Sequence, residues 1–280
     1  MNKHANKQLN QQLDQQLNQQ RQPDHAAPAV LITGAAKRVG RVIAERFAQA
    51  GYAVAVHYGS SQQEALDTVR AIEAGGGSAV ALHADLQAAE QLTAMIEAVY
   101  ARFGRLDVLV NCAAIFFPDT LADFALPDLE RSWQVNCRAP LLLTQAFHRQ
   151  ARQRAQQGVV INVVDQKVHA NFHPEDFSYT VAKAALGNLT AMLAMSAAPV
   201  LRVNALYPGL MTTSGDQSQA DFEYSSARST PLGYIAPVTE IADAILLLTR
   251  PSFNGAEFVV DAGQNLVRVE RDVINLYRAP

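Results

Sequence analysis

Apolar residues gather in seven short runs from Ala29 onward: AVLIT (29–33), YAVAVHY (52–58), SAVALHA (78–84), LDVLVN (106–111), GVVINVV (158–164), LRVNAL (201–206) and AEFVVDA (256–262). These runs are rich in Val, Ile and Ala and show little polar alternation. That is the pattern of strands buried on both faces of a parallel sheet. Between them lie segments with helical spacing, at about 38–50, 62–74, 87–103, 127–151, 178–197 and 239–249. Strand and helix in alternation predict an α/β fold, a Rossmann-like, doubly wound parallel sheet of seven strands. No second shift in composition follows Ala29, so residues 28–280 read as a single domain.

Residues 1–27 have a different composition. NKQLNQQLDQQLNQQRQPDH is rich in Gln and Asn and poor in core formers, and Pro23 and Pro28 mark its end. Leu9, Leu13 and Leu17 recur at every fourth position, the spacing of a short amphipathic helix that is marginal alone. A disordered tail is the expectation, with weak self-association as the sharper alternative. The chain of 280 residues carries 23 Lys and Arg against 26 Asp and Glu, a formal charge of −3. That balance argues against nucleic acid or an anionic membrane as the main partner, since either favours concentrated Lys and Arg. Two cysteines, Cys112 and Cys137, make no disulfide framework and read as small buried residues. No apolar run approaches the roughly 18 residues that cross a bilayer, and the N-terminus lacks a secretory stretch. A soluble, cytoplasmic protein is expected.

The first run ends in Thr33-Gly34-Ala35-Ala36-Lys37-Arg38-Val39-Gly40 and opens a helix. Small residues at 34–36 let the backbone approach a pyrophosphate, and the helix N-terminus offers free N–H groups. Gly40 allows close helix–strand packing. Arg38 stands where a GxGxxG motif has its middle glycine, so the placement of the turn, after the first strand and before a helix, carries the nucleotide reading. An NAD site usually puts Asp or Glu near the end of the second strand. Here that strand ends His57-Tyr58-Gly59-Ser60-Ser61, without an acid. Arg38 and nearby hydroxyls suit a 2′-phosphate, so NADP(H) is the expected cofactor. Ser60 or Ser61 can serve that phosphate and also N-cap the next helix. Asp85, ending the third strand, suits an adenine amino group and equally an N-cap.

Tyr179 and Lys183 are four residues apart on a predicted helix, hence on one face. A tyrosine ionises near about pH 10, and a neighbouring ammonium favours the phenolate and draws that value down. Lys183 is also placed to hold the nicotinamide ribose. Upstream, the fifth strand ends Val163-Val164-Asp165-Gln166. Strand C-termini line the ligand crevice of such sheets, so Asp165 is a second acid.

The motifs TGAAKRVG (33–40), ADL (84–86), NCAAIFFP (111–118), NCRAP (136–140), VVDQK (163–167), YTVAK (179–183) and YPGL (207–210) carry a resemblance. From Ala29 to about Val267 the chain resembles the short-chain dehydrogenase/reductase family. Within it, the chain is most similar to pteridine reductases and their bacterial relatives that reduce dihydrofolate or dihydromonapterin. The resemblance implies Tyr179 as proton donor, Lys183 lowering its pKa and binding ribose, and Asp165 cooperating with Tyr179 in protonating a pterin. It implies that Asn136 bends its helix and supports a proton-relay water. Arg38 would meet the 2′-phosphate and the substrate, and Phe116, rather than Phe117, would stack on the pterin. Gly34, Lys37, Val39, Leu86, Asn111, Ala113, Pro208 and Gly209 fall on the cofactor-lining motifs, and Tyr58, at the end of the second strand, joins them as a cofactor contact. A mobile substrate lid over 211–234 and a homo-oligomer, tetramer or dimer, also follow from it, with the residues after 266 at a subunit interface.

Asp in place of the family's usual Ser has a chemical meaning. A carboxylate beside a carbonyl repels the developing alkoxide, whereas a C=N reduction needs a proton at ring nitrogen, which a carboxyl group can shuttle. The chain departs from the family at Cys112 and Ala114, at Ser60, and at Asp261-Ala262-Gly263. Asp165 lies fourteen residues before Tyr179, one more than usual, and Gln166 holds the common spacing. His169 and His173 sit in the loop before Tyr179 without metal-ligand spacing. The leading expectation is an NADPH-dependent reductase of a pterin or folate-like substrate. Its rivals are a short-chain carbonyl (3-oxoacyl-type) reductase and a weakly catalytic NADP-binding regulator.

Overall fold

A computed structural model of the chain describes residues 27–169, 171–213 and 217–273. The Gln-rich tail lies outside these residues. All seven apolar runs are strands: β1 (Ala29–Ile32), β2 (Ala53–Tyr58), β3 (Ser78–His83), β4 (Val108–Asn111), β5 (Gly158–Val163), β6 (Leu201–Pro208) and β7 (Glu257–Val260). They form one parallel sheet in the order β3-β2-β1-β4-β5-β6-β7. The helices are α1 (Arg38–Gln49), α2 (Gln62–Ala74), α3 (Ala89–Phe103), α4 (Leu126–Trp133), α5 (Ala139–Gln153), α6 (Phe177–Ala197), α7 (Gln219–Ser229) and α8 (Val238–Leu248).

Alternate residues of each strand feed two cores. Val30, Ile32, Val54, Val56, Val108 and Val110 meet Ile43 and Phe47 of α1 and Ile241 and Ile245 of α8. Leu31, Ala55, Leu109 and Val160 meet Leu92 and Ile96 of α3 and Leu143 and Phe147 of α5 on the other face. Because both faces are covered, apolar side chains pay on either side, and the runs show no alternation. No described helix is long and apolar enough to cross a membrane.

Two segments differ from expectation. The single helix expected over 127–151 is α4 and α5 joined by a π-helical turn, Gln134–Arg138. Pro140 has no N–H for the carbonyl of Asn136, so the regular ladder cannot pass this point. The expected lid contains α7. Ser218 caps it, accepting from Asp221 N–H at 3.1 Å. That Ser-x-x-Asp pattern is a helix-start signal.

Candidate active site

Strand order reverses between β1 and β4, and in sheets of this kind the ligand crevice lies at that switch point, outside the strand C-termini. Gly34 follows β1 with φ +68°, and a Cβ on it would lie 3.0 Å from Ala113 Cα. Gly40 packs on the turn itself: its Cβ would fall 2.2 Å from Gly34 O. Gly34 N–H donates to His57 Nδ1 at 3.0 Å, so the ring proton sits on Nε2, 3.1 Å from Ala84 O. Burial lowers His57 to about 4 and keeps it neutral. Thr33 Oγ1 accepts from the N–H groups of Cys112 and Ala113, both at 3.0 Å, and fixes the end of β4 to the same turn.

Arg38 adopts φ +53°, the left-handed backbone that a glycine usually takes at this position. Its guanidinium donates to Thr212 Oγ1 at 2.7 Å and to Thr213 O, in the loop after β6. Lys37, not Arg38, reaches the start of α2, with Nζ 3.7 Å from Glu64 Oε1. Ser61 holds the N-cap position of α2, yet its hydroxyl makes no cap bond. Ser60 is exposed and Tyr58 half-buried, its ring 5.4 Å from that of His83. Asp85 does not cap α3, whose N-cap is Ala88. It closes a short turn instead, accepting from Gln87 N–H at 2.9 Å. Val39 and Leu86 pack into the cores. Pro208 ends β6 opposite Val260, and a Cβ on Gly209 would strike Gln264 Oε1 and Asp261.

The crevice accepts a dinucleotide on several counts. The first-turn N–H groups of α1 have no intrahelical acceptor and no side-chain cap. Asn111 donates to Asn162 Oδ1 at 2.9 Å, but its own Oδ1 is buried and has no partner among the described residues. No acid stands at the end of β2 to oppose a 2′-phosphate.

On the β5 side, Tyr179 Oη donates to Asp165 Oδ2 at 2.7 Å. Lys183 is 2% exposed, and its Nζ donates to Val163 O at 2.6 Å, 5.8 Å from the centroid of the Tyr179 ring. Burial lowers Lys183 to about 8, with Asp165 working against that shift. Tyr179 moves the other way from the sequence expectation. Burial, then the Asp165 carboxylate, raise it well above an ordinary phenol, so the pair stands as phenol and carboxylate. Asn136 lies in the π-helical turn and grips Ile115 twice, accepting from its N–H at 2.9 Å and donating to its carbonyl at 2.6 Å. Its second amide hydrogen goes to Ser132 Oγ at 3.0 Å, and Ser132 Oγ donates to Ser178 O at 3.1 Å.

Phe116 is 49% exposed, with its ring centroid 6.4 Å from that of Tyr179. Phe117 instead lies under Arg131. Three contributors escaped the sequence reading. Asp119 anchors the start of α6, accepting from Ser178 N–H at 3.0 Å and from its hydroxyl. Lys167, buried, donates its N–H to Asp165 Oδ1 at 2.8 Å. His57 appeared only as a strand end. Its buried place in an otherwise apolar strand was the available signal.

His173 is held by Asp272, and His169 faces Glu257. The C-terminal segment packs on its own chain through Arg271 and Glu175, at 2.6 and 2.8 Å. Cys137 is buried and Cys112 half-buried, and burial raises both thiols to about 11.

A family model described as enoyl-(acyl carrier protein) reductase matches residues 34–265. A crystal structure of FolM alternative dihydrofolate reductase 1 from Brucella canis, complexed with NADP, superposes with a TM-score of 0.82 at 32% identity, covering 88% of this chain and 97% of that one. An uncharacterised oxidoreductase of Methylorubrum extorquens is 34% identical over 78% of this chain and 88% of its own. 3beta-Hydroxysteroid dehydrogenase 1 of Eggerthella lenta is 32% identical over 87% of this chain and 95% of its own. With a glycine turn at the switch point and a Tyr179–Lys183 helix beside it, the chain belongs to the short-chain dehydrogenase/reductase family of oxidoreductases.

Proposed function

We propose that this protein is an NADPH-dependent reductase of a pterin or folate-like ring. The observation that carries the reading is the hydrogen bond from Tyr179 Oη to Asp165 Oδ2 at 2.7 Å. A carboxylate at this position opposes an alkoxide but serves a ring nitrogen that must take up a proton. The exposed face of Phe116 beside Tyr179 offers a flat ring a stacking surface. The FolM structures from two Brucella species, both complexes with NADP, support the same direction.

When bound, NADPH would supply the hydride. The turn Gly34–Gly40 and the N-terminus of α1 would hold its pyrophosphate. Lys37, with Ser60 and Ser61, is the group nearest to hand for the 2′-phosphate. Asn111 and Ala113 line the adenosine side, and Lys183 takes the nicotinamide ribose. Tyr179 delivers its proton to the substrate. Asp165, half-buried and within reach of water, restores it. Arg38 and Phe116 border the substrate, and Asn136 keeps the backbone of Ile115 in place beneath it.

The Eggerthella lenta relative is a hydroxysteroid dehydrogenase, which keeps a carbonyl reductase as the second reading. NADPH oxidation by purified protein decides between them, with dihydrobiopterin, dihydromonapterin, dihydrofolate and a simple β-ketoester as substrates. Turnover of a pterin or dihydrofolate that collapses in Asp165→Asn is the expected result. Turnover of the ketoester alone, indifferent to that substitution, sinks the proposal.

A further inference from the structure

Lys167 has no part in the chemistry so far, although it is 4% exposed and lies against the catalytic pair. Its N–H donates to Asp165 Oδ1, while Tyr179 donates to Oδ2 of the same carboxylate. Its side chain turns back to that tyrosine: Nζ is 5.4 Å from the ring centroid, against 5.8 Å for Lys183 Nζ. Two ammonium groups therefore attend one phenol, one from α6 and one from the loop after β5.

The second cation answers a problem of charge. When Tyr179 gives up its proton, a phenolate appears at hydrogen-bond distance from a carboxylate. Two like charges this close in a partly buried site repel strongly. Lys183 alone offsets one of them, and its Nζ is also committed to Val163 O.

We propose that Lys167 is a positioning residue for proton delivery: its N–H sets the Asp165 carboxylate, and its ammonium offsets the second negative charge formed when Tyr179 transfers its proton. This rests on Tyr179 as the proton donor of the proposed reductase, whichever ring is reduced. In the step, the Tyr179 O–H bond breaks and an N–H bond forms on the substrate. Hydride from NADPH adds to the neighbouring carbon, leaving NADP⁺, and the phenolate regains a proton from water through Asp165.

The surroundings of Lys167 tune its field. The loop supplies Asp165, His173, Glu175 and Asp176, α6 supplies Tyr179 and Lys183, and the C-terminal segment supplies Arg271 and Asp272. Lys167 Nζ lies 3.4 Å from both Asp176 Oδ2 and Glu175 O. Arg271 takes Glu175, and His173 Nε2 lies 3.6 Å from Asp272 Oδ2. Burial raises Asp176 to about 6, with Lys167 opposing the shift. Below that pH Asp176 is neutral, and the whole ammonium charge acts on Tyr179 and Asp165.

The first test needs no substrate. Protein labelled with fluorotyrosine, whose more acidic phenol brings ionisation into reach, is titrated by fluorine NMR, with Tyr179 assigned by its loss in Tyr179→Phe. Lys167→Met moves the Tyr179 ionisation to higher pH, Lys167→Arg leaves it near its starting place, and Asp176→Asn moves it to lower pH. In turnover, Lys167→Met loses about tenfold in kcat with KM little changed, and Lys167→Arg recovers most of it. If Lys167→Met does not fold, Lys167→Gln takes its place, because the Asp176 carboxylate itself raises Tyr179 and its removal lowers that ionisation with or without Lys167. A Tyr179 ionisation unmoved in the folded variants overturns the proposal. The absence of pterin turnover with the shifts intact overturns only the substrate assignment.

Discussion

The two walls of the crevice are built by opposite means. On the β1 side, backbone groups and neutral side chains do the holding: Gly34 N–H meets an uncharged His57, and one threonine hydroxyl takes two N–H groups from the end of β4. On the β5 side, Asp165, Lys167, Asp176 and Lys183 are crowded around one phenol. A dinucleotide brings its own charge, so its cradle needs shape and free N–H groups. A proton that must move needs charges that are close and poorly solvated. The cost shows in the shifts: burial drives Lys183 down to about 8 and Asp176 up to about 6.

Removing the proposed proton donor separates the walls most sharply. Tyr179→Phe should lower kcat/KM by about a thousandfold while NADPH, followed by its fluorescence, binds as before. Loss of cofactor affinity to a similar degree would mean that the walls are not independent. Gly40→Ala attacks the other wall. Its Cβ has nowhere to go, 2.2 Å from Gly34 O and 2.9 Å from Ala35 Cα. A loss of about 3 kcal/mol in urea unfolding is expected, with NADPH binding impaired and the Tyr179 ionisation unchanged.

Neutral His57 predicts a pH dependence confined to the cofactor wall. Its folded pKa, about 4, lies below the ordinary 6.5. Between those values the unfolded chain binds a proton that the folded chain refuses, so its contribution is intact above 6.5 and lost as pH falls toward 4. The loss amounts to about 3 kcal/mol. Asp176 acts in the opposite sense. Its raised pKa makes stability fall as pH rises from 3.8 through about 6, while His173, lowered by burial, acts in the same sense as His57, so the wild-type curve alone does not isolate His57. His57→Asn isolates the effect: less stable than wild type by about 2 kcal/mol at neutral pH, it should draw level at about pH 5 and lead by about 1 kcal/mol at pH 4. A gap that stays constant with pH would show that His57 does not remain neutral.

Lys183→Met tests the charged wall in the same currency. Below its folded value of about 8, Lys183 is protonated in both states, and the fold bears the cost of the buried charge. That cost disappears as pH rises from 8 to 10.5, where only the unfolded chain keeps the proton. The methionine variant, inactive, should therefore be more stable than wild type at pH 7, by about 1 kcal/mol once the bond to Val163 O is subtracted. A less stable variant would refute the claim that this wall is held at the fold's expense.

The sheet was legible because each strand is buried on both faces, so the apolar runs mark strands without ambiguity. The pairing of Tyr179 with Asp165 was also within reach, since both follow from strand β5 and one turn of helix. What stayed hidden depends on tertiary contact. Lys167 was quoted within VVDQK, but nothing in the spacing says that a loop folds its side chain back onto a ring twelve positions ahead. Asp119 reaches Ser178 across 59 positions. The direction of the Tyr179 shift was misjudged for a related reason. Spacing places Lys183 near the phenol, while burial and the carboxylate bonded to it decide the sign.

The smallest effect expected on stability comes from Arg38, and it is the one that fixes how the cofactor wall reads charge. Arg38→Gly relieves a left-handed backbone at φ +53°, a gain of about 1 kcal/mol, and gives up exposed bonds to Thr212 and Thr213 worth about as much. The net change in melting should be close to nil. Selectivity is the informative readout. Because Arg38 is engaged with the loop after β6 and Lys37 leans toward α2 beside Ser61, the preference for NADPH over NADH should survive Arg38→Gly. It should fall about tenfold in Lys37→Ala, where a charge-assisted contact with the 2′-phosphate is removed. The reverse outcome, with Arg38→Gly abolishing the preference, would mean that cofactor binding pulls Arg38 away from Thr212. The loop after β6 would then move each time the dinucleotide binds, and the two walls would be linked through one guanidinium.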